Sequence, residues 1–119
     1  MIPGIVSAPL FASVQGMEAV ASPSTVRKTQ GSTSGSTFTL TTPTTTVTVT
    51  GGTPPYSHSW AGSGITATAT APTSATTAFQ AMLGPGETDL ETFTDTIIDA
   101  NGVQTTASCN VVINNVDLR

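Results

Sequence analysis

Gly51-Gly52-Thr53-Pro54-Pro55-Tyr56-Ser57-His58-Ser59-Trp60 joins turn chemistry to a strand pattern, and Asp99-Ala100-Asn101-Gly102 answers it further along the chain. Paired glycines accept backbone angles closed to other residues, and paired prolines cannot donate to a ladder, so the chain must turn before Tyr56. Beyond the turn Tyr56, His58 and Trp60 take alternate positions and fall on one face of an extended run. Asn101-Gly102 is a dipeptide that tolerates the positive φ of a tight hairpin. Two such strand-and-turn units with a tryptophan between them describe a small β-sandwich, in which Trp60 and Tyr56 are packing residues and not a ligand platform.

Outward from this stretch, extended runs alternate with turn signals. They are expected at 36–40 with Phe38 and Leu40 inward, 44–50 with Val47 and Val49 between threonines, 56–60, 65–70, 76–82, 92–99 and 103–113. Seven strands at a spacing of about ten residues suit a two-layer all-β domain. The expected core is Val47, Val49, Trp60, Phe93, Ile97, Cys109 and Val111, with Cys109 in phase with Ala107 and Ile113 and therefore a small core residue.

Composition excludes several classes of function. Of 119 residues only 8% are charged and 37% hydrophobic, and threonine, serine and glycine fill the difference. Threonine is β-branched and suits half-exposed pleated surfaces. Three Lys+Arg against seven Asp+Glu give a net charge of −4, leaving no basic stripe for nucleic acid or an anionic membrane. No window approaches the ~18 apolar residues of a membrane-spanning helix. A lone Cys109 excludes an intrachain disulfide and favours cytosolic synthesis. Met1 to Ala21 lacks Lys and Arg and is broken by Pro3, Gly4, Pro9 and Gly16, so no secretory signal is expected despite Ala19-Val20-Ala21.

Residues 1–35 read as an N-terminal arm and linker, and 36–119 as the sandwich. Ile2, Ile5, Val6, Leu10, Phe11, Val14 and Met17 are apolar but follow neither a helical nor a strand repeat. The stretch from 22 to 36 has the Ser/Thr/Gly composition of a flexible linker, with Arg27-Lys28 as its only basic pair. Such an arm is expected to be disordered alone and to be ordered by a partner surface, against which its apolar residues and the basic pair would bind.

The segment GGTPPYSHSW, followed by F-T-D-T-I-I-D-A-N-G-V-Q-T-T-A-S, resembles the immunoglobulin-like PKD and bacterial Ig-like repeats, whose pattern runs GG-x-P-P-Y-x-Y-x-W and later x-Y-x-V-x-V-x-D-x-x-G. The likeness covers roughly residues 36–116 and implies an immunoglobulin-like, seven-stranded β-sandwich. His58 stands where the pattern has an aromatic, Asp95 where it has valine, and Phe93 lacks the hydroxyl of a tyrosine corner. One of these strands is therefore expected to contain a bulge or to lie at an edge. The resemblance implies use in adhesins, extracellular arrays and tailed-phage virions. The leading expectation is a non-enzymatic virion protein, made in the host cytoplasm, that decorates or cements the capsid through its arm. Its partners would be major capsid or tail subunits and copies of itself. A tail, collar or fibre protein is the alternative within that class, and an adhesion module with weak binding to host-surface glycans is the alternative outside it.

No catalytic, cofactor or metal site is expected. His58 has no second histidine and no cysteine or carboxylate at ligand spacing, so it reads as a half-exposed strand residue. Glu87, Asp89, Glu91, Asp95 and Asp99 hold five of the seven acids. Their oxygen chemistry suits calcium, but the spacing of a dedicated loop is missing, and a solvated acidic edge that discourages strand pairing is favoured. Asp99 is expected to cap the turn that follows it.

Overall fold

Thr25–Ser32 and Gln104–Asp117 lie side by side as parallel strands, although the whole sandwich sequence separates them. The computed structural model describes residues 16–119, and within them ten strand segments follow one another without a helix. In chain order these are β1 (Glu18–Ser22), β2 (Thr25–Ser32), β3 (Phe38–Thr41), β4 (Thr45–Thr50), β5 (Ser57–Gly62), β6 (Thr68–Ala69), β7 (Thr76–Thr77), β8 (Phe79–Leu83), β9 (Thr88–Ile98) and β10 (Gln104–Asp117). One layer is the four-stranded sheet β2-β10-β9-β5. Facing it are two three-stranded sheets, β1-β4-β7 and β3-β8-β6.

The two smaller sheets meet at a joint. Thr42 donates its amide to the Phe79 carbonyl at 2.8 Å, and its Oγ1 accepts the Phe79 amide at 3.1 Å. That exchange carries the layer past Pro43, which has no amide to offer. Between the layers lie Leu40, Val47, Phe79, Phe93, Ile97, Cys109, Val111 and Ile113, all buried. Trp60 meets Phe79 edge to face with centroids 5.6 Å apart, and Phe79 meets Phe93 at 4.5 Å. The alternation of buried and exposed residues along β9 and β10 follows from the period of two, which turns every second side chain inward.

Three expectations are corrected here. First, an arm and linker reaching residue 35 does not describe 17–32: Met17, Ala21, Val26 and Ser32 are buried, β1 pairs with β4, and β2 pairs with β10. Met17 is thus a core residue and not an arm contact, while Arg27 is exposed and Lys28 half-buried on β2. Second, the chain uses more and shorter segments than seven strands; the run at 76–82 is split by Ala78 into β7 and β8, and the run at 65–70 narrows to Thr68–Ala69. Third, of the bulge or edge position expected in the strands of His58 and Asp95, the bulge is absent, since Asp95 sits in continuous register opposite Trp60 on one side and Ala107 on the other, whereas β5 with His58 does lie at the edge of its sheet. Ile2, Ile5, Val6, Leu10, Phe11 and Val14, expected as arm contacts, lie outside the described residues.

Candidate functional site

The two halves of the Gly51–Trp60 and Asp99–Gly102 signature lock together at one end of the sandwich. Gly51 and Gly52 turn with φ of 75° and 72°, and Gly102 with 82°, angles that glycine adopts at little cost. Asp99 Oδ2 accepts the Thr53 amide at 2.9 Å, while its Oδ1 accepts the amides of Asn101 at 2.9 Å and Val103 at 2.8 Å. Ala100 returns its own amide to the Thr53 carbonyl at 2.8 Å. These donors, the Thr53 amide foremost, hold the Asp99 carboxyl below its ordinary 3.8. Tyr56 donates its hydroxyl to the Gly51 carbonyl at 2.6 Å, closing the turn from its inner side.

Deeper along the same strands, the two departures from the repeat pattern meet each other. Asp95, fully buried, stands 2.6 Å from His58 Nδ1 and accepts the Ser59 amide at 2.9 Å. A carboxylate placed where an apolar residue is expected is tolerated because a donor stands at the other anomalous position. Trp60 is buried, and its Nε1 donates to the Ser74 carbonyl at 2.8 Å.

Glu91 organises the opposite end. It is buried, and its carboxylate accepts the Gly64 amide at 3.0 Å and the Ala67 amide at 2.8 Å. A Cβ on Gly62 would come within 2.7 Å of Glu91 Oε1, and one on Gly64 within 2.9 Å of its carboxyl carbon, so the loop after β5 needs glycine to close over the acid. The acids therefore do not form a solvated edge: Glu91, Asp95 and Asp99 are buried, Asp89 is half-buried, and only Glu87 is exposed. Among the described residues no group of three or more His, Cys, Asp or Glu side chains is placed to hold a metal ion. Sequence reasoning missed the part Glu91 plays; the signal was Gly62-Ser63-Gly64, two glycines too close together for a strand and long enough to wrap a side chain.

The outward face of the four-stranded sheet is almost free of charge. Thr92, Thr94 and Thr96 on β9 stand opposite Asn110, Ser108 and Thr106 on β10. Thr92 donates to Asn110 Oδ1 at 3.1 Å, Thr88 donates to Asn114 Oδ1 at 2.9 Å, and the Thr94 and Ser108 hydroxyls share a bond of 3.2 Å. Leu90 is exposed on this face, and Arg27 supplies its charge from β2. A shallow groove of about 260 Å³ lies on it beside Leu90 and Val112, and another of about 310 Å³ lies on the opposite layer, on the β3-β8-β6 sheet beside Met82 and Thr66.

Of the residues singled out in the sequence, Val47, Trp60, Phe93, Ile97, Cys109 and Val111 converge between the layers, and Val49 is half-buried beside them. Burial pushes the Cys109 thiol above its usual 9.0, and its sulfur faces the Pro23 carbonyl. A thiol so placed is chemically quiet. No protein-family model, curated protein or solved structure matches this chain.

Proposed function

We propose that this chain is a non-enzymatic structural module with an immunoglobulin-like arrangement of strands, working by surface contact as a capsid-decoration subunit of a tailed-phage virion. The observation that carries the non-enzymatic part is the commitment of most of the reactive side chains among the described residues. Asp95 and His58 bond each other, Asp99 and Glu91 hold backbone amides, Trp60 Nε1 serves a carbonyl, and Cys109 faces the interior. A nucleophile or base at work must instead present its polar atom to a substrate. The immunoglobulin-like part is supported by β10 lying between an antiparallel β9 and a parallel β2, with a buried tryptophan on β5. The virion setting rests on the resemblance to repeats used there, and the apolar segment before Gly16 remains its contact with other virion proteins.

Because 17–32 belongs to the body, the experiment must cut earlier. Deletion of residues 2–15 is expected to leave a folded protein that no longer co-sediments with purified capsids; normal co-sedimentation overturns the anchoring role. The glycan-binding alternative loses its stacking platform with Trp60 buried. It retains the hydroxyl and amide face of β9 and β10, and a glycan array probed with the whole chain decides it.

A further inference from the structure

Asp89 and Glu91 stand two residues apart on the inward side of β9, and the loop Gly62–Ala67 folds over Glu91, with its Thr66 lining the same groove as Asp89. Two carboxylates side by side repel unless one carries a proton. The structure marks which one does. Asp89 Oδ2 is buried and receives no donor, so it bonds its neighbour only by carrying a proton itself, whereas Glu91 accepts the Gly64 and Ala67 amides. A second buried acceptor without a donor, Asn115 Oδ1, lies on the neighbouring strand, two positions beyond the Ile113 that faces Asp89. A negative charge on Asp89 would add to a place already short of donors.

We propose that Asp89 and Glu91 form a proton-operated latch on the Gly62–Ala67 loop: a proton held by Asp89 keeps the loop closed over Glu91, and its loss lets the loop lift. The loop carries Ile65, wholly exposed, and Ser63, whose amide donates to the Thr92 carbonyl and whose Oγ accepts the Thr92 amide, both at 3.0 Å. Lifting it therefore moves an apolar side chain and uncovers the backbone of β9 at Thr92. The direction of titration agrees with the geometry. Burial first, then the hydrogen bond and charge of Glu91, push Asp89 from the ordinary 3.8 up to about 7. Burial opposes the Glu91 charge, but the hydrogen bond from Asp89 and the amides of Ala67, Gly64 and Thr66 outweigh it and hold that carboxyl below 4.5.

The elements around the pair bring few other charged groups to it. β10 turns Val111, Ile113 and Asn115 toward the pair, β8 offers Met82 and Leu83, and the loop itself has no ionisable side chain. Glu87, on the turn before β9, gives its Oε1 to the Gly84 amide. Lys28 lies on the far side of Ile113, one strand further away. Asp95 is further along β9 and already bonded to His58, and Asp117 is paired with Arg119.

Amide hydrogen exchange on the full chain, from about pH 5.5 to 8.5, tests the latch. Protection of the Gly64 and Ala67 amides, divided by that of Cys109 in the centre of the sheet, is expected to fall at least ~tenfold as pH rises from about 5.5 toward 7 and to level off above it, a factor corresponding to one pH unit of linkage. In Asp89→Asn, a neutral side chain of the same shape, protection should stay high throughout. A constant ratio in the natural protein, or a fall that persists in Asp89→Asn, overturns the proposal. Should that variant fail to fold, carboxyl carbon NMR of the natural protein decides: titration of Asp89 near 7 supports the latch, and titration near its ordinary 3.8 refutes it.

Discussion

His58 and Asp95 show how two side chains that look misplaced separately become reasonable together. Each breaks the apolar pattern of its strand, and across the ladder they are bonded at 2.6 Å. Removing one partner strands the other, so His58→Ala should lower the unfolding free energy by about 3 kcal/mol in a denaturant titration. The double change His58→Phe with Asp95→Val restores apolar residues to both sites and should return stability to within about 1 kcal/mol of the natural protein. Additive losses in that cycle would contradict the pairing. The sequence displayed the anomaly at both positions but not its cure, because nothing local announces that residues 58 and 95 share a layer.

Strands and turns were legible to different degrees, for physical reasons. β4, β5 and β10 were readable because a strict alternation of apolar and polar residues has one explanation, a pleated surface buried on one side. β1 and β2 were not. In β1 the larger Val20 points out and the small Ala19 and Ala21 point in; in β2 only Val26 among eight residues is a sizeable apolar side chain facing inward. β9 starts at Thr88 and not Thr92 because Asp89 and Glu91 imitate a loop until their inward partners are known. Two glycine substitutions separate conformational strain from crowding. Gly102→Ala, where a Cβ meets nothing within 4 Å, should cost about 1 kcal/mol from its positive φ alone. Gly52→Ala meets the Met17 sulfur at 2.9 Å as well, and should cost distinctly more, about 2–3 kcal/mol by thermal or denaturant unfolding.

Across the whole molecule, the buried acids should shape a stability profile with two limbs. Asp99 and Glu91 titrate below their ordinary values, so their contribution is present above about pH 4.5 and disappears as pH falls through their lowered pKa values. Asp89 titrates above its ordinary value; its contribution is complete below 3.8 and is lost as pH rises toward about 7. Denaturation midpoints measured from about pH 3 to 9 should therefore peak at about pH 4 to 5, and Asp89→Asn should flatten the decline from there toward about pH 7 while leaving the acid limb in place. Truncation gives a second test at this scale: removal of residues 2–15 should preserve the cooperative transition, whereas removal of 2–32 deletes β1 and β2 and should abolish it.

β10 sits in the middle of its sheet, flanked by β2 from the beginning of the described chain and by β9 from just before it. It is also the last of the described strands in chain order. Until it emerges, β2 has no neighbour in its sheet and β9 lacks one of its two ladders, so the nascent polypeptide must hold its Thr-rich strands open until β10 has been made. Such a fold assembles in one late event dominated by distant contacts, a slow route by topology. The scarcity of long apolar runs in the early strands helps the unfinished chain stay free of its neighbours while it waits.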